Sequence, residues 1–501
     1  MAKNLLKADL FFLVLIYLIF LCFALSVFGW VIDDLYIYFR YVNNFINGKG
    51  IVYNPGEFVE GFSSFSWFLL LSLFKFIHLP LELSSKIAGL VFAFLNLIML
   101  YKICLLLNLG RMSLAACVIM MFNLPFILWS VSGFEIMLYI FLLLLCFYKV
   151  LSLKINANEI IILSILIFMI SLSRPEGVLF SLAFLSFIYI ISKNHKFTFK
   201  IFFLYGILFG AFLIFRYLYF EDILPNTFYA KIGHNLFGYY ELRTYKNGLF
   251  YIIDFFRHNP QFILLFIFVP VTFKSLNSNK IFLFSLFLIF IQVFFVIFSG
   301  GDWMVQYRFI IPAIPFLSFA LVVSLKEFMI SFKIKKLLHY SIVFFIFFIT
   351  GWCLIFADYK IINIETQLWN NLKHISEDIK NDIPSKSLVA NGSSGIIPYY
   401  LQDIEFIDLV GLTNKHIAKN GFRHGTWFEK SLPDYVYSKN PAWIIMWKKK
   451  KEDGVYKFEN ASPCYSDMAQ NINFNKYTLN KTYDVYDDVK IELYKLNDKT
   501  E

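Results

Sequence analysis

The sequence predicts a polytopic α-helical membrane protein with a C-terminal α/β domain, and three observations predict it. Of 501 residues, 59% are hydrophobic, including 63 Phe and 30 Tyr, and the mean hydropathy is +0.64. A water-soluble core of that composition would leave too much apolar surface exposed. Apolar segments recur from residue 9 to 357, with Lys and Arg gathered in every second connecting loop, the pattern that sets membrane topology. From residue 358 onward the chain turns polar, and it is long enough there for one α/β domain.

The formal net charge of +10 does not mark a nucleic-acid partner. The basic residues lie in short clusters between apolar segments rather than in one patch. Cys22, Cys104, Cys117, Cys146 and Cys353 fall in apolar stretches and Cys464 in the polar tail, so neither a disulfide framework nor a zinc spacing exists.

The first apolar run, 9–30, has basic flanks like a signal peptide. At about twenty residues it is too long for one, and no small-residue cleavage site follows, so it is expected to stay as the first span with a cytoplasmic N-terminus. Further apolar segments lie at 84–107, 112–130, 133–152, 159–173, 177–192, 197–219, 261–273, 280–299, 309–329 and 337–357. The run 64–79 is marginal for crossing. Arg111, Lys149 and Lys154, Lys193, Lys196 and Lys200, Lys274 and Lys280, and Lys326, Lys333, Lys335 and Lys336 mark the cytoplasmic loops. That alternation works with about eleven spans if 64–79 only partly inserts, and with about thirteen if it belongs to a hairpin. A membrane module 1–357, with its first external loop at 31–83, would then precede an external domain 358–501.

Two adjacent carboxylates, Asp33 and Asp34, stand where the first span ends, an expensive place for charge. On a helix from Asp33 to Phe45, Asp33, Ile37 and Arg40 share one face and Asp34, Tyr38 and Tyr41 the next, which puts a carboxylate near an arginine. The turns NGKG, NPGE and EGFSSFSW then carry Glu57 and Glu60 back toward the membrane. A plain helix cap is the rival reading, but it does not account for the arginine and the returning glutamates.

The other loops on this side hold the remaining unusual residues. WSVSGFE brings Glu135, SRPEG brings Arg174 and Glu176, FRYLYFEDILPNTFYAKIGHN brings Arg216, Asn226, Lys231 and His234, and SGGDWMVQYRF brings Asp302, Trp303 and Arg308. In the tail, helical patterning in IETQLWNNLKHISEDIKND gives way to short β-rich runs, SLVANGSSGIIPYY, IEFIDLVGL, PAWIIMWK and VKIELYKL.

The strings DDLYIYFRY, NGKGIVYNPGE and VEGFSSFSW resemble the first external loop of the mycobacterial terminal arabinofuranosyltransferase family and its bacterial relatives. These are GT-C polytopic glycosyltransferases that use lipid-phosphate sugars. The later loop strings and FIDLVGLTNKHIA resemble the same family. The resemblance implies a GT-C fold and inverting transfer from a polyprenyl-phosphate sugar to a cell-envelope glycan or glycolipid, on the outer face of a bacterial cytoplasmic membrane. The sugar and the acceptor stay open.

That chemistry needs a base for the acceptor hydroxyl and cations for the departing phosphate. Asp33 is the expected base, with Asp34 second, because partial desolvation raises carboxylate basicity. Arg40, Arg174, Lys231 and Arg308 are the candidates for phosphate. Glu60, Glu135, Glu176 and Asp302 are expected to orient those arginines or to meet sugar hydroxyls, alongside Asn226. Trp67, Trp129 and Trp303 suit either a sugar ring or the interfacial aromatic belt. Asp33 and Asp34 could hold a divalent ion with phosphate oxygens, but two adjacent acids are a weak metal pattern. Two rivals share the architecture: a ligase or polymerase acting on an undecaprenyl-linked glycan, and a lipid-linked sugar flippase, which would place ionisable residues at mid-membrane instead.

Overall fold

The computed structural model describes residues 2–231, 239–275, 280–334, 336–357, 359–423, 430–451 and 454–497. The chain divides into two compact units. One comprises Met1–Gly29, Glu82–Ala211 and Thr244–Tyr359, the other Trp30–Leu81, Phe212–Arg243 and Lys360–Glu501. The last of these segments begins at Lys360. The first loop and the stretch after residue 211 are grouped with the tail, whereas the sequence reading had assigned both to the membrane module.

The first unit is helical. Among the described residues five helices are long and apolar enough to cross a bilayer: Asp9–Ser26, Leu81–Leu106, His195–Phe220, Lys280–Ser299 and Arg308–Ser331. The figure rises to eight if each of three bent helix pairs is one span. Apolar helices Ile136–Leu151, Ala157–Ser173 and Gly177–Ser192 fall short of the ~20 residues of a perpendicular crossing. The bends have local causes: Met112–Met121 and Leu124–Ser130 meet at 65° beside Pro125, and Arg243–His258 and Pro260–Phe273 meet at 97° at Pro260.

The turn between Ala157–Ser173 and Gly177–Ser192 shows how sequence places a side chain. Arg174 precedes a proline, which disfavours helical backbone, and it is extended at φ −156°, ψ 153°. The next helix returns at once because residue 177 is glycine. A Cβ there would lie 2.1 Å from the Ile170 carbonyl oxygen.

The second unit opens with helix Asp33–Ile46, most of whose residues are buried. Its tyrosines fold the following loop back onto it: Tyr41 donates to the Val59 carbonyl at 2.6 Å, and the Ser64 N–H donates to the Tyr38 hydroxyl at 3.0 Å. Helix Phe65–Phe76 starts at Ser64, whose hydroxyl accepts the Trp67 N–H. Twelve residues reach only about 18 Å, short of a ~30 Å hydrocarbon core.

After helix Lys360–Asp382 come strands β1 (Leu388–Asn391), β2 (Glu405–Asp408), β3 (Phe422–Arg423), β4 (Lys430–Ser431), β5 (Trp443–Lys450), β6 (Tyr456–Lys457), β7 (Tyr477–Tyr486) and β8 (Val489–Leu496). The main sheet runs β2-β1-β5-β8-β7, with β6 on β5, while β3 and β4 pair separately. β1 is parallel to β2 and β5, and the β5–β8 and β8–β7 pairs are antiparallel. The carboxyl ends of parallel strands are where α/β sheets usually receive ligands. In this unit the turns there, Gly392–Gly395 after β1 and Leu409–Thr413 after β2, receive residues of the chain's own first loop.

Candidate active site

In the second unit Asp33 is 6% exposed, and both of its oxygens accept main-chain hydrogen bonds. Ile396 N–H donates to Oδ1 at 2.7 Å and Gly395 N–H to Oδ2 at 3.0 Å. Burial pushes the Asp33 carboxyl up to about 7; the Ile396 and Gly395 donors and Ser393 oppose that rise, and the Asp34 charge adds to it. Asp34 is half-buried beside it.

Arg40 departs from the phosphate-gripping role read from the sequence, and it does not pair with Asp33. It is 1% exposed. Nε donates to the Tyr53 carbonyl at 2.9 Å, and Nη1 donates to the Leu401 carbonyl at 3.2 Å and to the Pro398 carbonyl. Nη2 donates to the Ile404 carbonyl at 2.7 Å and lies 3.5 Å from the Asn54 side-chain oxygen. The guanidinium also stacks on Tyr53 and Phe406. A group whose nitrogens are spent on carbonyls in the folded chain has no fork left for a phosphate. Asn54 completes the seam, exchanging two hydrogen bonds with the Phe406 main chain.

Glu60 and Arg216 form a buried bidentate pair, Nε to Oε2 at 2.7 Å and Nη2 to Oε1 at 3.0 Å. Burial pushes Glu60 up to about 7 against the opposing Arg216 charge. Asn226 donates its N–H to the Glu60 carbonyl and its side-chain amide to the Gly411 and Leu412 carbonyls, so its amide donors are committed to the tail. Lys231 ends helix Asn226–Lys231 and is half-buried, and His234 lies outside the described residues. Sequence reasoning missed Asp408 at the end of β2. Burial raises its pKa, and its carboxylate gathers the N–H groups of Val410 and Thr413. An acid closing a turn over its own next residues leaves no long-range pattern to read.

In the first unit Arg174 lies between two carboxylates, Nη1 2.8 Å from Glu135 and Nε 2.5 Å from Glu176. Burial opposes its charge, but Glu176 and Glu135 outweigh that and raise its pKa. Arg308 makes a bidentate pair with Asp302, at 2.6 Å from Nε and 3.1 Å from Nη2. Both guanidiniums pack on the Phe309 ring, at 5.5 Å for Arg174 and 4.8 Å for Arg308, so the two turns meet around one aromatic side chain. Trp129 is buried beneath Arg308 and donates to the Val305 and Gln306 carbonyls at 3.1 Å. Trp67 is also buried, whereas Trp303 is 50% exposed.

Gln306 and Tyr307 both hold left-handed backbone, at φ 57° and 55°. Two such non-glycine residues in succession cost energy and occur where the surroundings enforce them. The Tyr307 hydroxyl donates to the Asp254 carboxylate at 2.6 Å and lies 2.8 Å from His258 Nδ1. Sequence reading had not singled out these three residues.

Among the described residues no group of three or more His, Cys, Asp and Glu side chains could hold a metal ion. Since both Asp33 oxygens face N–H donors, the Asp33–Asp34 pair is not arranged as a cation cradle.

A family described as a domain of unknown function, DUF8728, matches residues 361–494. No curated protein matches the chain. Among solved structures, ArnT from Cupriavidus metallidurans bound to undecaprenyl phosphate aligns at a TM-score of 0.55 and 11% identity, covering 95% of this chain and 97% of that one. The oligosaccharyltransferase of Archaeoglobus fulgidus in its apo form aligns at 0.51 and 12% identity, covering 96% and 79%. At such identities the likeness is one of fold alone.

Proposed function

We propose that this chain is an integral-membrane glycosyltransferase. It moves a monosaccharide from a polyprenyl-phosphate donor to an envelope glycan or glycolipid, on the extracytoplasmic face of a bacterial cytoplasmic membrane. The observation that carries the reading is the buried, raised-pKa Asp33 beside half-exposed Asp34, directly after the first apolar helix of a chain with the GT-C fold. A carboxyl that titrates near neutrality is matched to general-base work at physiological pH. The bound undecaprenyl phosphate of the Cupriavidus metallidurans protein supports a polyprenyl-phosphate donor.

In the proposed step the acceptor hydroxyl gives its proton to an Asp33 oxygen as the hydroxyl oxygen attacks the anomeric carbon. The bond from that carbon to the phosphate oxygen breaks, and its electron pair leaves on the lipid phosphate. In-line displacement inverts the centre. The lipid phosphate is a weak base, so no strong general acid is required. Arg174, Arg308 and Lys231 take the phosphate role; Glu135, Glu176 and Asp302 hold the arginines in place, and Trp303 meets sugar. Arabinose as the sugar follows only from the family resemblance. The fold shared with an oligosaccharyltransferase favours one second reading, transfer of a preassembled lipid-linked glycan.

Purified protein given labelled polyprenyl-phosphate monosaccharides and an envelope glycan fraction tests the proposal. Transfer of single sugars is expected, with Asp33→Asn lowering turnover about 10²- to 10⁴-fold while inserting normally. Transfer only of a preassembled chain would favour the second reading, and wild-type turnover in Asp33→Asn would remove the base assignment.

A further inference from the structure

Resting on the reading of Asp33 as the base, we propose that the turn Gly392–Ile396 is a positioning element of the active site, which gives the α/β domain a part in the reaction. The N–H groups of Gly395 and Ile396 hold the Asp33 carboxylate in place and ionised, and residue 395 is glycine because Asp33 fills the space a side chain would need.

A carboxylate has about four lone-pair sites. The two N–H donors, at 2.7 and 3.0 Å, engage one on each oxygen, and with Ser393 also bonded to the carboxylate at least one site is left for a hydroxyl proton. A Cβ on Gly395 would lie 1.8 Å from the Asp33 carbonyl oxygen and 2.8 Å from its Cγ, so even alanine must displace the start of helix Asp33–Ile46. The turn is itself held from the first loop: Tyr53 donates its hydroxyl to the Ser394 carbonyl at 2.7 Å, and Arg40 donates to the Pro398 and Leu401 carbonyls. The edge of the parallel strands that commonly cradles an anionic ligand thus cradles the chain's own carboxylate. These donors also oppose the burial that would otherwise keep the acid protonated.

Titratable groups lie close to Asp33. Asp34 stands on the same helix, and the Tyr53 phenol comes from the first loop. One residue pair along, Tyr36 meets Tyr399 and Tyr400 from the helix after the turn and Lys373 from helix Lys360–Asp382.

Two measurements on the full-length protein test this. Hydrogen exchange of the peptide spanning 392–398 reads the contact without reference to activity. Asp33→Asn, which turns an N–H donor toward an N–H donor, is expected to speed exchange there about tenfold. Gly395→Ala is expected to lower kcat/KM about 100-fold at pH 7 and to move the acidic limb of its pH profile up by about one unit, with recovery at higher pH. A merely structural lesion lowers activity at every pH alike. If Gly395→Ala does not accumulate, Ile396→Pro deletes the shorter donor at a first helical position where proline is tolerated, and the same shift is expected. Unchanged exchange in Asp33→Asn, or a wild-type acidic limb in the turn variants, would overturn the proposal. Faster exchange with full transfer by Asp33→Asn would instead overturn the base assignment beneath it.

Discussion

Arg40, in the middle of helix Asp33–Ile46, and Arg174, in the turn between two apolar helices, are both buried arginines, and they are satisfied in opposite ways. Arg40, in the unit containing the α/β domain, gives its nitrogens to the carbonyls of residues 53, 398, 401 and 404. Arg174, in the helical unit, gives its nitrogens to the side chains of Glu135 and Glu176. The carbonyls belong to backbone that cannot leave, so Arg40 is a brace that sews the first loop to the tail. Carboxylate partners can turn aside, which the phosphate role proposed for Arg174 requires. A buried arginine therefore states its role through what it is bonded to, and residue type alone does not separate a brace from a clamp.

The largest expected effect lies on the brace. Arg40→Met leaves several carbonyls buried without donors, at about 1–3 kcal/mol each before relaxation, so a loss of roughly 3–5 kcal/mol is expected. Thermal unfolding and tryptic cleavage of the tail would read it. A variant that melts like the wild type and only binds donor more weakly would return Arg40 to the phosphate role and erase the contrast.

Next come the two arginines proposed to clamp the phosphate. Arg174→Lys and Arg308→Lys keep the charge but lose the planar fork. Donor KM is expected to rise about 10- to 100-fold, equivalent to about 1.4–2.8 kcal/mol, with little change in melting temperature. Equal damage to stability and donor affinity would show that these arginines are also braces.

A pH dependence sharpens the difference between the units. Asp33 and Glu60 are pushed from ordinary values of 3.8 and 4.5 up to about 7 in the folded chain, and burial raises Asp408 as well. The folded state then holds protons that the unfolded chain has released, so stability is greatest below about pH 4 and falls as pH rises through 7. Melting of the α/β-containing unit should occur at a lower temperature at pH 8 than at pH 5.5, and Asp33→Asn should flatten part of that slope. With Asp33 as the proposed base, activity is expected to move the other way across the same range, since the base must be ionised. A melting temperature that rises from pH 5.5 to pH 8 would contradict the burial of these acids.

Much of this architecture was legible because it depends on short-range order. Hydropathy located the apolar helices, three-to-four spacing located helix Asp33–Ile46, and β-rich runs located β1, β2, β5 and β8. β7 escaped because it is a mostly exposed edge strand rich in polar residues. The pairs Arg174–Glu176 and Asp302–Arg308 lie two and six residues apart, close enough for a turn to bring them together.

The sequence by itself determined which segments are apolar and which acids and arginines cluster at their ends, because transfer free energy and helix periodicity are properties of neighbouring residues. Only the tertiary structure decided that Asp33 faces the N–H groups of Gly395 and Ile396, and that Arg40 faces carbonyls more than 350 residues away. Main-chain donors and acceptors are the same at every position, so no residue pattern announces which of them a distant side chain will meet.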